Sequence, residues 1–278
     1  MKPSIDAAPD PVLASLPRRA TSRTAHVLAD LLFVLTARDI KIKYKQSVMG
    51  LMWAILMPAI IVGAGMLIRV AMAKMSGTPV SPDSLASITV KALPWAFFVG
   101  ALRFATNSLT SNANLVTKIN CPRIAFPASA VLSALFDLAV AILPLVGILV
   151  WTGVPFGAAL LWVPPLLALL ALLVSGLGFA FAAANLFFRD VKYIVEVILT
   201  FAIFFTPVFY EADMLGEWRF WILLNPVAPL LEGLRSAVVL NEAPEAGWLL
   251  YSAAVSLLVF AGGWWLFQKL EPAFADRV

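Results

Sequence analysis

The stretch RDIKIKYKQSVMGLMWAILMP, residues 38–58, joins a cluster of cations directly to a long apolar segment. This order is typical of the cytoplasmic edge of a membrane span, where Lys and Arg are enriched. The remainder of the chain is also apolar, since 62% of its 278 residues are hydrophobic and 13% are charged, against about half and a quarter in soluble domains. The sequence therefore predicts an all-α polytopic membrane protein.

Six transmembrane helices are predicted, with both termini in the cytoplasm. A span needs about 20 apolar residues, and the Lys and Arg residues of the flanking loops orient the set. Lys91 is assigned to the outer loops, together with seven of the 16 carboxylates. The alternative is a seventh span within 211–247, which would move the C-terminus outside. The six predicted spans are 48–75, 88–109, 126–150, 166–188, 193–210 and 248–267.

Two regions precede this transmembrane domain, which covers residues 48–278. Residues 1–24 are predicted to be a flexible cytoplasmic N-terminus. Residues 25–47 are predicted to form an amphipathic helix in the inner membrane interface, with the basic cluster at its end. The apolar stripe of this helix consists of Val27, Leu28, Leu31, Leu32 and Leu35.

Residues 211–247, between spans five and six, contain two short apolar pieces separated by N-P-V-A-P at 225–229. Neither piece is long enough to cross a bilayer, and the prolines interrupt a continuous helix. Irregular backbone at membrane depth is tolerated only when it packs against other protein. The segment is therefore predicted to be a broken re-entrant hairpin on the outer side.

The composition excludes several kinds of site. A single Cys and a single His leave no internal disulfide and no His/Cys metal cluster. The sequence contains no G-x-x-x-x-G-K-[S/T] loop to cradle the phosphates of ATP. The pI near 9.3 reflects cations distributed by topology, so no nucleic acid is expected as a partner.

Three blocks of sequence resemble one family. They are residues 38–58, NANLVTKINCPRIAFP at 112–127, and FFRDVKYIVEVILTFAIFFTPVFY at 187–210 followed by LNPVAPLLEGLRSAV at 224–238. In this order and spacing the chain resembles the permease subunits of ATP-binding-cassette exporters that move polysaccharides, the O-antigen, capsule and teichoic acid export group. The chain departs from that group at Asn120-Cys121, where bulkier and often aromatic residues usually precede the proline.

The resemblance implies a transport subunit that is not an enzyme. It implies a homodimer bound to two copies of a separate ABC ATPase, which uses ATP and Mg, while the permease itself binds no cofactor. A channel between the permeases would move a lipid-linked polysaccharide across the bacterial cytoplasmic (inner) membrane. The alternatives are an exporter of drugs or other small molecules and, further away, a polytopic membrane enzyme, which would need converging acids, His or a nucleophile.

Residues 112–127 are predicted to contain a short helix along the inner surface, stopped by Pro122. The resemblance implies that this is the coupling helix, which fits a cleft in the ATPase. The alternative is an ordinary positive-inside loop. The coupling residues would be Asn112, Leu115, Lys118, Ile119 and Arg123, with the cations meeting carboxylates and the apolar side chains filling a slot.

The basic cluster has two interpretations. It anchors the chain to anionic lipid, at about 1 kcal/mol per basic residue. It is also a candidate for holding the helix against the ATPase or for admitting an anionic lipid-linked substrate. The candidate residues are Arg38, Asp39, Lys41, Lys43, Tyr44, Lys45 and Gln46.

Ionisable residues inside spans are functional candidates, because charge is costly in the bilayer. Arg69 and Glu196 lie near span ends and are expected to snorkel. Arg103 and Asp137 lie deeper, and they are predicted to form a structural ion pair with each other.

Aromatic and outer-hairpin residues complete the candidate sites. Sugar rings stack on aromatic faces, so aromatic residues could line the channel, with lipid-facing or packing roles as the alternative. The resemblance implies that the hairpin is an extracytoplasmic gate, with a purely structural hairpin as the alternative. The channel candidates are Trp53, Trp95, Phe97, Phe98, Phe104 and Tyr210, and the gate candidates are Pro207, Asn225, Pro226, Pro229 and Arg235.

Overall fold

A computed structural model describes residues 20–45, 52–77, 83–118, 122–154 and 157–276, with side chains except at 20–27, 76, 117–118 and 275–276. All regular structure in these ranges is helical, as predicted. The α-helices are α1 (Ala20–Lys45), α2 (Met52–Ser76), α3 (Asp83–Ser111), α4 (Ala113–Lys118), α5 (Ala125–Thr152), α6 (Val163–Phe187), α7 (Val191–Ala202), α8 (Arg219–Leu223), α9 (Val227–Arg235) and α10 (Ala246–Leu270). Short 3₁₀ helices cover Ala158–Trp162, Ala212–Trp218 and Glu271–Asp276, and a π-helical turn covers Ser236–Leu240.

Five helical segments are long and apolar enough to cross a membrane. The segment predicted as the fifth span is not among them, because α7 has 12 residues and is followed by turns as far as Tyr210. At about 1.5 Å per residue such a helix covers roughly 18 Å of a bilayer core of about 30 Å. The count of six spans therefore stays a prediction. The five segments are Met52–Met75, Asp83–Ser111, Ala125–Thr152, Ala158–Phe187 and Ala246–Phe274.

Helix α3 is the centre of the bundle, packed against α2, α5, α6, α7 and α9. Its small residues, such as Ala101 and Ala105, allow neighbouring helices to approach closely. Its buried hydroxyls are satisfied within the helix, since Thr106 Oγ1 donates to the Leu102 carbonyl at 2.7 Å and Ser108 Oγ donates to the Ala105 carbonyl at 2.7 Å. A helix with several polar residues can therefore occupy the core.

A second apolar core lies at the end of the bundle that carries α1, α4 and the C-terminal segment, here called the terminal end. The predicted stripe of α1 packs into this core, with Leu35 buried and Leu28, Leu31 and Leu32 partly buried. The stripe therefore faces protein, while Phe33 on another face of α1 is exposed. Helix α1 begins at Ala20, five residues before the predicted interface helix of residues 25–47, and its place in the membrane interface stays a prediction. The core comprises Leu35, Leu109, Val116, Ile124, Ala125, Phe126, Phe179, Ala182, Ala183, Leu186, Phe267 and Phe274.

The opposite end of the bundle, here called the hairpin end, carries α8 and α9. Pro226 caps α9, as the predicted break requires, but Pro229 lies inside the first turn of α9. A proline is tolerated there because the first backbone N–H groups of a helix have no partner within it. Helix α9 buries Val227, Leu230 and Leu231 against the main core. Whether this segment re-enters a membrane stays a prediction.

Helices α6 and α10 cross at two glycines. A Cβ atom added at Gly176 would lie 2.5 Å from the Phe260 Cα atom, and one added at Gly263 would collide with the Gly176 carbonyl. Close backbone approach through small residues is a common way of packing helices in membranes. This contact positions α10, and with it the C-terminal segment, against the bundle.

Candidate functional site

A cleft of about 520 Å³ lies between α2, α3, α5 and α7. Its wall is apolar along α2, from Trp53 to Ile61, and along the facing side of α3. Charged side chains also line it: Lys43 from α1, Arg103 from α3 and Asp137 from α5. The cleft therefore combines an apolar wall with a small set of ionic groups, which is the usual make-up of a ligand site.

A second cleft, of about 360 Å³, adjoins the first at Lys43 and Phe104, which line both. It lies between α1, α3 and α5, and seven of its ten lining residues are polar or charged. Polar and charged residues are therefore more frequent along the second cleft than along the first. The polar side chains of the second cleft are Arg38, Asp39, Lys43, Ser108, Ser111, Asn112 and Ser133.

Asp137 is held by two neighbouring residues of α1. The Lys43 ammonium and the Tyr44 hydroxyl donate to the two oxygens of its carboxylate. Burial of the phenol, reinforced by the adjacent Asp137 carboxylate, raises the pKa of Tyr44 above its usual range, so the hydroxyl remains a neutral donor. Lys43 also lies over the Phe104 ring, with its Nζ atom 4.6 Å from the centroid. The end of α1 is thus attached to α5 by charge-assisted hydrogen bonds.

A second polar contact joins α1 to α5 one to two turns earlier. Ser129 Oγ donates to one Asp39 carboxylate oxygen at 3.0 Å, and Arg38 Nη2 pairs with the other at 2.7 Å. Lys41 and Lys45, by contrast, are exposed. The basic cluster therefore divides into residues that dock α1 on the bundle and residues that remain available to lipid. Gln46, the last candidate of the cluster, lies outside the described residues.

The predicted Arg103–Asp137 ion pair is wrong. Arg103 Nε pairs with Glu196 Oε1 at 3.2 Å, and Asp137 pairs with Lys43. The physical reason is helix packing: α1 lies along α5 and brings an ammonium to Asp137, while α7 brings a carboxylate to Arg103. Both pairs are partly open to solvent. Glu196 was expected to snorkel, and the structure adds that it pairs with Arg103.

The channel candidates separate into two groups. Trp53, Trp95, Phe97 and Phe104 line the first cleft. Phe98 does not line it, because its ring stacks on Trp95 inside the main core, with the centroids 5.7 Å apart. Tyr210 lines neither cleft, and its hydroxyl donates to the Phe204 carbonyl at 3.0 Å.

Five charged residues at the hairpin end form a connected group, here called the buried ion network. The sequence alone did not predict that these residues contact each other. Lys91 Nζ lies 3.2 Å from Glu232 Oε1 and 2.5 Å from the Tyr210 carbonyl oxygen. Arg235 joins Glu232 at 3.7 Å and Glu211 at 3.4 Å. Arg69 Nη2 completes the chain, 2.9 Å from Glu211 Oε1. The network comprises Arg69, Lys91, Glu211, Glu232 and Arg235.

Two predictions about this network are wrong. Lys91 was assigned to an outer loop, yet it lies in the third turn of α3 and is almost fully buried. Arg69 was expected to snorkel to water, yet it pairs with Glu211 across to the segment after α7. The available signal was the presence of Lys91 within an apolar run, because a cation in that position needs a buried partner.

The gate candidates are joined by hydrogen bonds. Asn225 Nδ2 donates to Thr206 Oγ1 at 2.9 Å, and Asn225 Oδ1 accepts from the Val227 N–H at 3.1 Å. Thr206 directly precedes Pro207, in the turns after α7. Arg235 belongs to the buried ion network. The start of α9 is therefore attached to the turn that contains Pro207.

The predicted coupling segment contains helix α4. The Asn112 carbonyl accepts the N–H groups of Leu115 at 2.8 Å and Val116 at 3.0 Å, which starts the helix. Leu115 packs partly on the terminal core, so it is only partly available to another protein. Arg123 is engaged within the chain, because its Nη1 donates to the Glu271 carbonyl at 2.7 Å. Ile119 and the Lys118 side chain lie outside the described residues, and a role of α4 in coupling stays a prediction.

Comparison with known proteins places this architecture among transporters. The family described as ABC-2 type transporter matches residues 30–239. The chain is 30% identical over 260 residues to an O-antigen export system permease protein RfbA of Klebsiella pneumoniae, covering 90% of this chain and 95% of that protein. It is 28% identical over 254 residues to another RfbA permease protein of Klebsiella pneumoniae, with coverages of 90% and 95%. The RfbA permease protein of Myxococcus xanthus is 27% identical over 255 residues, with coverages of 89% and 95%.

Proposed function

Because the chain belongs to the ABC-2 type transporter family, we propose that it is the permease of an ATP-driven exporter of a lipid-linked polysaccharide. The proposed assembly is a homodimer with two copies of a separate ABC ATPase, in a bacterial inner membrane, with both termini cytoplasmic. The similar permeases named for O-antigen export support this substrate class. The ATPase uses ATP and Mg, and the permease itself binds no cofactor.

The observation that carries the proposal is the change of chemistry along the two adjoining clefts. The second cleft offers Arg38 and Lys43 with several hydroxyls and an amide, which suit a phosphate and the first sugars. The first cleft offers Trp53 and Phe104, whose exposed faces suit sugar rings or a lipid chain. An amphipathic substrate with an anionic linkage would meet a matching surface in each of the two clefts.

A second copy of the chain placed against α2 and α7 would close the first cleft into a channel. Both helices already line the cleft, through Met57 of α2 and Thr200 of α7. Both also expose large apolar side chains, including Ile60 on α2 and Phe201 on α7. In this arrangement α7 and residues 203–210 together make the fifth of six crossings.

The two ends of the bundle take different roles in the proposal. The terminal end faces the cytoplasm, where Ser111 at the end of α3 and Asn114 of α4 are presented to the ATPase and Val116 of α4 is buried. The hairpin end faces outward, where residues 211–247 act as the extracytoplasmic gate. The buried ion network holds that gate to α2 and α3.

The second candidate is export of a drug-sized molecule. The specific observation in its favour is the first cleft, because a volume of about 520 Å³ falls in the range of small-molecule sites. A drug-sized substrate would not need the charged and hydroxyl side chains of the second cleft. This favours a glycan as the substrate.

The test is ATP hydrolysis by the permease and its ATPase, purified together and placed in lipid nanodiscs. We expect the lipid-linked glycan to stimulate hydrolysis and a panel of drugs to leave it unchanged. Arg38→Gln should reduce the glycan stimulation about ten-fold, which corresponds to one charge-assisted hydrogen bond. Lys45→Gln is the matched control, because Lys45 is exposed on the same helix and lines neither cleft.

Three results would contradict the proposal. They are stimulation by drugs and not by glycan, equal losses in the two variants, and glycan export that continues in cells lacking every ATPase partner.

A further inference from the structure

The segment that follows α10 packs against the terminal end of the bundle. Residues Glu271–Asp276 form a 3₁₀ helix. Phe274, within it, has 0% exposure, and its ring centroid lies 5.2 Å from that of Phe267 and 6.0 Å from that of Phe187. Chain termini are poorly ordered unless they are tied down. The burial of Phe274 shows that this segment is tied down.

Glu271 makes two hydrogen bonds to the turn between α4 and α5, and both go to Arg123. The Glu271 carbonyl oxygen accepts from Arg123 Nη1 at 2.7 Å. The Glu271 Oε1 atom accepts from the Arg123 backbone N–H at 3.2 Å. This N–H precedes α5 and has no acceptor within that helix, so the C-terminal segment supplies one. Both the backbone and the side chain of the turn are thereby held.

The same segment shares its core with α4. Val116 of α4 and Phe274 belong to the terminal core, together with Leu35 of α1 and Phe267 of α10. Close-packed cores transmit displacement because they have low compressibility. A displacement of α4 is therefore transmitted to α1 and α10 through this core, provided that the turn before α5 does not deform.

We propose that residues 271–276 are a positioning element for α4. They keep the turn before α5 from deforming when the ATPase moves α4. This proposal rests on the proposed function for its consequence, because α4 is the docking point there. Its structural part is independent of the ATPase: Glu271 holds Arg123 in the turn before α5, and Phe274 shares the terminal core with Val116 of α4. Glu271 acts through Arg123, and Phe274 acts through the terminal core.

The structural part is tested by amide hydrogen exchange on the full-length permease alone. Glu271→Ala should speed exchange at Arg123 and across α4 about five-fold, the value of one hydrogen bond of about 1 kcal/mol. Glu271→Gln should restore wild-type exchange, because the amide oxygen can accept the same N–H. Glu217→Ala is the matched control, since Glu217 is exposed at the hairpin end. Unchanged exchange in Glu271→Ala would overturn the proposal.

The functional part is tested with the permease and its ATPase in nanodiscs and in cells. Glu271→Ala should leave ATP hydrolysis within about two-fold of wild type while glycan export falls about five-fold, and Glu271→Gln should rescue export. Phe274→Ala should show the same separation more strongly, with Leu258→Ala on the exposed face of α10 as its control.

The outcomes separate the two proposals. Faster exchange together with unchanged export overturns the positioning role in coupling but not the proposed function. A wild-type permease that binds no ATPase overturns the proposed function, and with it the coupling role of the segment. If Phe274→Ala fails to accumulate, Glu271→Ala and its Gln rescue still decide the question.

Discussion

The chain carries two groups of charges within its helical bundle, and they differ in access to solvent. The side chains of the buried ion network are 1% to 18% exposed. The second group, here called the cleft charges, is 19% to 50% exposed. Similar residue types therefore have opposite surroundings at the two places. The cleft charges are Lys43, Arg103, Asp137 and Glu196.

The difference teaches what each group can do. In the buried ion network, most charges meet partners on other elements, and Lys91 and Glu232 are further satisfied by backbone groups. A sealed arrangement of this kind has no room to exchange a partner for a ligand, so it joins helices. The cleft charges form separate pairs in or next to the first cleft, so a ligand can compete for a partner, at the lowest cost in the half-exposed Arg103–Glu196 pair. The first group is therefore structural, and the second is available for function.

The largest expected effect comes from opening the sealed group. Lys91→Met removes the ammonium and leaves Glu232 in a buried position with one fewer cation. Breaking a buried pair in this way costs about 3 to 5 kcal/mol. The free energy of unfolding, measured by denaturant titration in detergent, should fall by that amount. Adding Glu232→Gln should recover part of the loss, because the unpaired carboxylate is then gone.

The control for this variant is Lys74→Met, which makes the same chemical change at an exposed position on α2. It should change the free energy of unfolding by less than about 0.5 kcal/mol. Equal losses in Lys91→Met and Lys74→Met would show that the network contributes nothing to stability.

An intermediate effect is expected at Asp137, the least exposed of the cleft charges. Asp137→Asn removes the carboxylate charge that pairs with Lys43, and the Asn Nδ2 group cannot accept the second of the two hydrogen bonds from Lys43 and Tyr44, so the loss should be about 1.5 to 3 kcal/mol. The same unfolding measurement checks it, with Asp190→Asn on an exposed turn as the control. A loss as large as that of Lys91→Met would remove the distinction between the two groups.

The smallest effect is expected at the Arg103–Glu196 pair. These side chains are about half exposed, and such pairs contribute less than about 1 kcal/mol. Glu196→Gln should therefore leave the free energy of unfolding nearly unchanged, as should Glu242→Gln, an exposed control near α10. A change in glycan export with no change in stability would sharpen the assignment of the cleft charges to function. A large loss of stability would contradict it.

Sequence reasoning succeeded where the signal was local. The apolar stripe from Leu28 to Leu35 follows from helical periodicity, and its members lie in one core. The break before α9 follows from Pro226, and α4 starts directly after the polar residues Ser111 and Asn112. These features depend on a few consecutive side chains and on backbone chemistry that a proline or a polar residue changes directly.

It failed where the answer depended on which helix faces which. Arg103 and Asp137 were paired because both lie deep in adjacent predicted spans. In the structure they belong to different pairs, because α1 and α7 supply Lys43 and Glu196. The span at 193–210 was also predicted as one helix, since its composition is apolar throughout, yet α7 ends at Ala202.

Composition, charge distribution and spacing were sufficient for the all-α membrane class and for the family, because hydrophobicity and short motifs are properties of the chain before it folds. Partner choice among the charges was decided only by tertiary packing. An ionic contact requires two atoms within about 4 Å, and helix rotation sets that separation for residues distant in sequence, as with Lys43 and Asp137 or Lys91 and Glu232. The seating of Phe274 beneath the bundle was decided in the same way, since its partners belong to α6 and α10.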